Sequence, residues 1–350
     1  MNEPLRVAIV GCGAVAHVYY APALAALEHD GTATVVAAFD PDTGTASAFC
    51  SRLDRARAVS SLDAVIAAHP DVVVIASSPR YHAEQTVAAV SGGCDVFCEK
   101  PLAIDRAQGE NMVAAAATAG RRVFVGLVRR QFPATRAIHR LVRSGALGDI
   151  RSVECFEGGP FAWPVRSTEY FRPVAGNGGV LQDIGTHCLD LLVWWLGAPT
   201  SLSYADDAMG GVEANCSIDL AFGSAQVKVR LSRDWARPNR YVLRGDRGWI
   251  AWNLENVDRL QLGFDDEIVG DLTLEPALLP DAAPARGPVG PRIPFGFEGA
   301  FAAQLRALAS GRTEVLVDAV EALPVLDVID RCTAERSTMP MPWMVPDGAV

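Results

Sequence analysis

Apolar runs and helically spaced segments alternate along the first 128 residues. Runs with the length and composition of buried parallel strands occur at 6–10, 35–39, 72–75, 96–97 and 123–127. Apolar residues recur at helical spacing between them, near 16–29, 44–53, 61–68, 81–91 and 104–119. This alternation predicts an α/β fold whose N-terminal domain is a doubly wound parallel sheet of the Rossmann type.

The pattern changes after a helix that is expected to run from Pro133 to about Gly145. Strand-like segments rich in β-branched and aromatic residues then follow at 150–157, 201–206, 212–221, 225–233, 240–245 and 248–252. One helix, over 183–196, interrupts them, and two more are expected at 297–310 and 318–335, where Pro324 should kink or delimit the second. The segment 280–296 has the composition of a long surface loop. The second half therefore predicts an α/β domain with a mainly antiparallel sheet.

Length and charge narrow the classes of partner. The chain has 350 residues, about the length of two domains, and a formal net charge of −10. This charge disfavours nucleic acid and anionic membranes, because both reward a basic face. No apolar run reaches the roughly 18 residues of a membrane span, and the N-terminal residues lack the pattern of a signal peptide. We therefore expect a cytoplasmic protein.

The eight cysteines are scattered, with no CxxC pair and no histidine at zinc-finger spacing. Several lie within apolar strand or helix patterns, which indicates buried free thiols in a reducing compartment. The spacing therefore predicts no metal site.

A glycine turn follows the first strand directly and opens a helix. Gly11 permits the tight turn, Gly13 lets the backbone approach a pyrophosphate, and Ala16 fills the small position where helix packs on strand. Free N–H groups at the start of the helix then bind phosphates. A glycine turn in another kind of βα unit would look similar, but the context favours a dinucleotide site. Its candidate residues are Gly11, Cys12, Gly13, Ala14 and Val15.

Asp40 lies at the end of the second strand. A carboxylate there accepts the hydroxyls of the adenosine ribose and repels a 2′-phosphate. Asp40 is also an ordinary turn residue before Pro41. Together with the glycine turn, it predicts NAD as the cofactor in preference to NADP.

Polar residues also follow the fourth predicted strand, at the carboxyl edge where parallel sheets bind ligands. Ser77, Ser78 and Pro79 are candidates for contact with the nicotinamide ribose or the diphosphate. His82 is either a ligand contact or a polar residue in the first turn of the next helix.

The fifth strand ends in Glu99-Lys100-Pro101. Glu99 can hold a ribose or orient the lysine, and Lys100 can donate a hydrogen bond to a substrate oxygen and stabilise a developing alkoxide. Taken alone, the two residues would be a solvent-exposed pair at a loop. Their place at the ligand-binding edge makes both candidates for the site.

A second glycine loop, at 178–179, precedes the helix predicted over 183–196. Asp183 and His187 are four residues apart and therefore share one helical face. Histidine titrates near neutral pH and suits the removal of a hydroxyl proton, while Asp183 can orient its ring. His187 alone would be an ordinary helical histidine, and Asp190 is expected to have a structural role.

The segment 161–173 is rich in aromatic residues and arginine, and it precedes the second glycine loop. Aromatic faces pack on sugar C–H groups, and arginine binds carboxylate or phosphate. An ordinary structured loop is the competing interpretation. Arg129 and Arg130 can add their positive charge to that of the arginines in this segment, or pair with a local carboxylate. The candidate substrate contacts are Trp163, Arg166, Tyr170 and Arg172.

These motifs, in this order, resemble the glucose–fructose oxidoreductase, inositol dehydrogenase and rhizopine catabolism family (Gfo/Idh/MocA). The resemblance covers most of the chain, including residues 128–133 and 145–148. It implies a Rossmann domain, 1–128, and a C-terminal substrate-binding and oligomerisation domain, 129–350, with an open, largely antiparallel sheet. It also implies catalytic roles for Lys100, Asp183 and His187, and a homo-oligomer formed through the C-terminal sheet.

The sequence therefore predicts an NAD(P)-dependent oxidoreductase acting on a secondary alcohol or ketone of a sugar, cyclitol or sugar nucleotide. Two alternatives stay open. One is a glycosidase-like enzyme that keeps NAD bound and uses transient oxidation, and the other is a non-catalytic NAD-sensing regulator. Arg166 and Arg172 favour an anionic substrate.

Overall fold

The described part of the chain divides into two units. The computed structural model describes residues 3–163, 178–235, 237–264, 267–274 and 296–340. The first unit contains 3–133 and 296–326, and the second contains the remaining described residues. The predicted loop at 280–296 lies outside the described residues except for Gly296.

The strands and helices of the described residues are numbered in chain order. The strands are β1 (Leu5–Val10), β2 (Ala33–Phe39), β3 (Ala58–Val59), β4 (Val72–Ile75), β5 (Asp95–Cys98), β6 (Val123–Val125), β7 (Ile150–Gly158), β8 (Ser201–Asp206), β9 (Asn215–Phe222), β10 (Ala225–Ser232), β11 (Arg240–Gly245), β12 (Gly248–Asn253), β13 (Arg259–Phe264), β14 (Glu267–Thr273), β15 (Val317–Asp318) and β16 (Arg336–Thr338). The α-helices are α1 (Ala21–His29), α2 (Thr43–Cys50), α3 (Leu62–Ala67), α4 (His82–Ser91), α5 (Arg106–Ala119), α6 (Pro133–Arg143), α7 (Thr186–Leu196), α8 (Phe297–Ala309) and α9 (Ala319–Ala334).

The first unit is built on a seven-stranded sheet with the order β15-β6-β5-β4-β1-β2-β3. All neighbouring strands are parallel except β15 and β6. Strand β1 pairs with β2 on one side and β4 on the other, so the strand order reverses there. Doubly wound sheets bind ligands at the carboxyl ends of the strands at such a switch point. The predicted Rossmann sheet is confirmed.

Helix α9 begins in this first unit, because its apolar residues complete the core around α5. Leu326 belongs to the core cluster of the parallel sheet. A Cβ added at Gly109 would lie 2.7 Å from Leu326 Cδ1 and 2.9 Å from Leu323 Cδ2, so glycine permits the close packing. Residues 296–326 therefore pack with the Rossmann sheet, whereas the sequence placed them in the second domain. The functional roles assigned to 1–128 and 129–350 stay predictions.

The second unit is built on a nine-stranded sheet with the order β14-β13-β12-β11-β7-β10-β9-β8-β16. Its neighbours are antiparallel except for the pairs β7/β10 and β8/β16. The mainly antiparallel sheet is confirmed, although the hairpin of β13 and β14 was not predicted. Side chains alternate along β10, where Ala225, Val227 and Val229 are buried and the intervening residues are exposed. One face of the sheet therefore carries the core.

Helix α7 is fixed in the second unit by buried aromatic rings. Trp195, on α7, has its ring centroid 5.7 Å from that of Tyr241 and 6.5 Å from that of Trp252. The indole N–H of Trp195 donates to the carbonyl oxygen of Thr135 at 3.2 Å, so its polar atom is satisfied inside the core. These contacts anchor the C-terminal end of α7 in the core of the second unit.

Two helices begin with a π-helical turn rather than a regular α-helical one. The turn Ala16–Tyr20 precedes α1, and the turn Leu181–Gly185 precedes α7. Single π-helical turns occur frequently at functional sites. Helix α9 runs through Pro324. No helix among the described residues is long and apolar enough to cross a membrane.

The aromatic cluster yields a stability prediction. Trp195→Ala should lower the free energy of unfolding by roughly 3–5 kcal/mol, because it removes a buried aromatic side chain and leaves a cavity. Trp235 is 49% exposed in the same unit, so Trp235→Ala should cost less than about 1 kcal/mol. Urea unfolding of both variants measures the difference. Equal losses would show that the packing of α7 does not depend on Trp195.

Candidate active site

Packing within the protein requires a glycine at the first position of the first glycine turn. Gly11 has φ +88°, and a Cβ added there would lie 2.4 Å from the backbone nitrogen of Ser77. Gly13 differs, because a Cβ there would meet no protein atom within 4 Å. Close packing thus explains Gly11 and leaves Gly13 unexplained. The open space at Gly13 fits the approach of a dinucleotide phosphate.

Asp40 fixes this turn through its carboxylate. Its Oδ2 accepts the backbone N–H of Cys12 at 2.9 Å, and its Oδ1 accepts that of Asp42 at 2.9 Å. The pKa of the Cys12 thiol is raised to about 12, mainly by burial and to a smaller extent by the charge of Asp40. Cys12 therefore serves the turn through its backbone, with its thiol protonated. Asp40 has a structural role in addition to the predicted contact with ribose.

His82 joins two segments of the carboxyl edge. Its Nδ1 lies 2.8 Å from the carbonyl oxygen of Pro101, and its Nε2 lies 3.0 Å from that of Ser77. The side chain is completely buried, and this burial lowers its pKa. The Ser77 hydroxyl is itself engaged, since it donates to Gln85 Oε1 at 2.6 Å. His82 thus positions the chain around Ser77 and Pro101, while a direct contact between His82 and a cofactor stays a prediction.

Glu99 is held between a tyrosine and the backbone of Lys100. The hydroxyl of Tyr20 donates to Glu99 Oε1 at 2.5 Å, and the backbone N–H of Lys100 donates to Oε2 at 3.0 Å. Burial raises the pKa of Glu99, and the hydrogen bond from Tyr20 opposes that rise. Gly126 leaves room for the carboxylate, because a Cβ there would lie 3.0 Å from Oε1. Of the two roles predicted for Glu99, the contacts favour orientation of Lys100.

In the second unit, a carboxylate also holds a glycine loop. The carboxylate of Glu213 accepts the backbone N–H of Leu181 at 2.9 Å. Gly179 has φ +79°, and a Cβ there would lie 2.0 Å from Glu213 Oε1. Burial raises the pKa of Glu213, and the Leu181 hydrogen bond opposes the rise. The loop before Asp183 is therefore fixed by contacts that only glycine permits.

Arg233 binds Asp183 directly, a contact that was not predicted from the sequence. Its guanidinium donates to Asp183 Oδ2 and to the carbonyl oxygen of Gly179, both at 3.1 Å. It also lies over the ring of Phe161, 5.0 Å from the centroid. The Arg233 side chain is 7% exposed and that of Asp183 is 29% exposed. A sequence signal does exist, because polar residues replace the alternating pattern at the end of β10.

His187 lies in the first turn of α7 and is half-buried, whereas Asp190 is buried. Asp183 belongs to the preceding π-helical turn, so the α-helical spacing assumed for the pair does not apply over this stretch. The burial of Asp190 agrees with the structural role expected for it. The catalytic roles of Asp183 and His187 stay predictions.

The predicted substrate contacts fall largely outside the described residues. Arg166, Tyr170 and Arg172 lie there, and Trp163 is the last described residue before them. Both Arg129 and Arg130 are buried, and Arg130 forms an ion pair with Glu321 at 2.8 Å. Arg130 therefore takes the role of a partner to a local carboxylate.

Two protein-family models match the chain, one over most of the first unit and the other over much of the second. The model described as the oxidoreductase family with an NAD-binding Rossmann fold, Gfo/Idh/MocA, matches residues 5–127. The model of the Gfo/Idh/MocA C-terminal domain matches residues 135–251. The chain belongs to the Gfo/Idh/MocA family.

Individual relatives of this Gfo/Idh/MocA chain are distant. D-glucoside 3-dehydrogenase of Escherichia coli (strain K12) is 32% identical over 207 residues, which are 57% of this chain and 56% of the relative. The chain thus matches little more than half the length of that protein.

Two solved structures share the fold over almost the whole chain. An inositol dehydrogenase homologue from Azotobacter vinelandii, complexed with NAD+, has a TM-score of 0.80 at 23% identity and covers 96% of both chains. A 3-ketoreductase from Actinomadura kijaniata, in complex with NADP and TDP-benzene, has a TM-score of 0.79 at 22% identity and covers 97% of this chain and 100% of that one.

The two glycines of the first turn should behave differently when substituted. Gly11→Ala should lower the free energy of unfolding by roughly 2–4 kcal/mol, because it combines a positive φ with a backbone clash. Gly13→Ala should change it by less than about 1 kcal/mol, since its Cβ meets open space. Thermal unfolding without dinucleotide measures both. A large loss for Gly13→Ala would mean that its glycine serves the fold.

Proposed function

We propose that this chain transfers a hydride between NAD and a secondary alcohol or ketone of a sugar, cyclitol or sugar nucleotide. The observation that carries the proposal is the carboxyl edge of the Rossmann sheet. There Asp40 holds a glycine turn with open space at Gly13, and Glu99 holds the backbone of Lys100. This edge fits a dinucleotide whose phosphates meet the N–H groups of the first helix and whose ribose meets Asp40.

A bound nicotinamide would supply the hydride acceptor for oxidation and the hydride donor for reduction. Protein side chains transfer the accompanying proton and stabilise the developing charge. We assign His187 as the base that takes the hydroxyl proton during oxidation and returns it during reduction. Lys100 is assigned to donate a hydrogen bond to a substrate oxygen and to stabilise developing negative charge on it. Burial of Glu99 behind Lys100 supports this assignment, because it fixes the lysine backbone.

Asp183 is assigned as the residue that orients His187, and Arg233 as the residue that positions Asp183. The guanidinium contacts both Asp183 and the loop that carries it, so the carboxylate has a defined place before substrate binds. A charge-assisted hydrogen bond of this kind is stronger than a neutral one and restricts geometry. Arg233 therefore acts through Asp183, without a direct part in the reaction.

The substrate class follows the family, and its charge is a separate proposal. The relatives named above act on a D-glucoside, are homologous to an inositol dehydrogenase, or reduce a 3-keto group. We retain the preference for an anionic substrate, which rests on Arg166 and Arg172 beyond the described residues. Comparison of kcat/KM for a nucleotide-linked sugar and its free counterpart, in wild type and in Arg166→Ala and Arg172→Ala, tests it. Preference for the neutral sugar, with both variants like wild type, would refute it.

We also propose a homo-oligomer that uses the outward face of the nine-stranded sheet. That face exposes Glu154, Asp219 and Lys228, with Lys228 opposite Glu154 in β7 and Asp219 in β9. An interface on this face would be polar.

The cofactor proposal predicts tighter binding of NAD than of NADP. Asp40→Asn should narrow that preference by about tenfold, because the amide removes the charge that repels a 2′-phosphate and keeps one oxygen for the glycine turn. Isothermal titration with both dinucleotides measures the change. Tighter binding of NADP by the wild-type protein would contradict the proposal.

Gly13→Ala provides a matched test of where the dinucleotide lies. We expect it to weaken NAD binding at least about tenfold, because the added methyl occupies the space reserved for the pyrophosphate. The same variant should keep its unliganded stability, so the loss cannot be attributed to unfolding. Unchanged NAD affinity would place the dinucleotide elsewhere.

The catalytic proposal predicts that His187→Ala and Lys100→Ala each lower kcat by roughly a hundredfold or more. NAD affinity should change little in His187→Ala. His29→Ala, which alters an exposed histidine, is the control. The substrate is found first by screening sugars, cyclitols and sugar nucleotides for a change in NADH absorbance. Near-normal turnover in either active-site variant would refute its assignment.

The screen for a change in NADH absorbance also distinguishes the proposed oxidoreductase from the glycosidase-like enzyme and from the non-catalytic regulator. Cleavage of a glycoside without net NADH formation would favour the glycosidase-like enzyme. NAD binding without turnover of any substrate would favour the regulator.

A further inference from the structure

Three side chains with metal-binding atoms meet between strand β7 and helix α7. Cys155 and Glu157 come from β7, and Cys188 comes from α7. Their ligand atoms all lie within 4.8 Å of one another, and the two sulfur atoms are 3.2 Å apart. Cys155 is 3% exposed, Glu157 1% and Cys188 0%. A carboxyl group and two thiols therefore lie close together in the buried core.

Regular secondary structure, rather than a loop, brings these residues together. Cys155 and Glu157 are two residues apart on a strand, so both point to the same face of the sheet. That face is the buried one, as the alternating burial along β7 shows. Cys188 approaches from α7, whose place is fixed by the packing of Trp195 against the sheet. The three ligand atoms are thus positioned by the fold itself.

We propose that Cys155, Glu157 and Cys188 bind one Zn²⁺ ion, with a water molecule as the fourth ligand. Thiolate sulfur and carboxylate oxygen are ordinary zinc ligands, and sites with three protein ligands keep a fourth position for solvent. The ion would offset the negative charge that these groups carry when deprotonated within the core. The site does not depend on the proposed hydride transfer.

Tyr241 supplies the supporting contact that such sites require. It lies on β11, directly opposite Cys155, and its hydroxyl donates to Glu157 Oε1. Groups that hydrogen-bond to a metal ligand fix its orientation, and their loss typically costs about 10- to 100-fold in metal affinity. Tyr241 is itself completely buried in the aromatic cluster. The carboxylate of Glu157 is therefore held in place.

The two sulfur atoms belong to separate thiols and are not joined as a disulfide. Two Zn–S bonds of about 2.3 Å at a tetrahedral angle place their sulfurs roughly 3.8 Å apart. A disulfide requires about 2.05 Å between the same atoms. The observed 3.2 Å is a hydrogen-bond contact between two free thiols, so binding an ion would move the sulfurs about 0.6 Å apart. Glu157 adds a third ligand atom, for which a disulfide has no use.

The spacing of the cysteines in the sequence predicted no metal site, because these three ligands are not all close together in the chain. Cys155 and Cys188 are separated by a strand end, the second glycine loop and the start of α7, so no short motif contains both. Cys188 directly follows His187 in the chain. A bound ion would therefore tie the start of α7 to β7, next to the residue assigned as the base.

Metal titration of the full chain tests the proposal. Reduced, chelator-treated protein is titrated with Zn²⁺ in competition with a chromophoric chelator, and separately with Co²⁺. We expect one equivalent of Zn²⁺ per chain. The Co²⁺ protein should show the thiolate-to-metal charge-transfer band and the intense visible bands of four-coordinate cobalt. Absence of stoichiometric zinc binding would overturn the proposal.

Four variants assign the ligands. Cys155→Ser and Cys188→Ser should each lower Zn²⁺ affinity at least about 100-fold and weaken the charge-transfer band, and Glu157→Gln should lower affinity about tenfold or more. Cys332→Ser is the matched control, because Cys332 is equally buried in the second unit and is not part of the cluster. It should bind Zn²⁺ like the wild-type protein. Retention of wild-type affinity in both Cys155→Ser and Cys188→Ser would overturn the proposal.

X-ray absorption of the zinc-loaded wild-type protein gives a result even if a serine variant fails to fold. The expected spectrum has two sulfur ligands at about 2.3 Å and two lighter ligands at about 2.0–2.2 Å. Four light ligands would overturn the proposal. So would mass spectrometry that finds Cys155 and Cys188 joined as a disulfide in protein that binds no zinc.

Discussion

In both units a carboxylate accepts a backbone N–H within or just after a glycine turn, and the candidate chemistry depends on that contact. Asp40 holds the turn of Gly11 in the Rossmann unit, and Glu213 holds the loop of Gly179 in the second. Each turn leads into a helix through a π-helical segment. Without the carboxylate, the turn would lose the hydrogen bond that orients its backbone, and the residues after it would lose their defined places. Glycine is required at Gly11 and Gly179 because the neighbouring atoms leave no room for a side chain there.

The polar groups behind the proposed catalytic residues are largely buried, and their hydrogen bonds offset that burial. Burial raises the pKa of both Glu99 and Glu213, and hydrogen bonds from Tyr20 and from the backbone oppose this effect. Arg233 is also removed from solvent, and it binds Asp183 and a loop carbonyl oxygen. Buried polar groups restrict geometry when each has its partners. We infer that the chain uses this burial to hold Lys100 and Asp183 in place before substrate arrives.

The sequence predicted the features that depend on local periodicity and missed those that depend on distant contacts. The parallel strands, the glycine turn and the antiparallel sheet follow from patterns within a few residues, and the structure confirms them. Arg233, Glu213 and Tyr20 are distant in sequence from the residues they hold, so no short motif joins each of them to its partner, although the polar end of β10 marks the position of Arg233. The packing of 296–326 on the first sheet has the same cause, since it depends on how α5 accommodates Leu326 at Gly109. The two π-helical turns were missed because the apolar spacing of a single such turn does not distinguish it from an α-helix.

Direct transfer of a hydride from a substrate carbon to nicotinamide, with His187 as the base, can be followed with an isotopically labelled substrate. The most direct measurement uses a substrate from the screen that carries deuterium on its carbinol carbon. Mass spectrometry of the cofactor after single turnover then shows where the deuterium goes. We expect stoichiometric, net transfer of deuterium to NAD in the wild-type protein and transfer slowed by about a hundredfold or more in His187→Ala. Product formation without deuterium in the reduced cofactor, or equal rates in the two proteins, would contradict it.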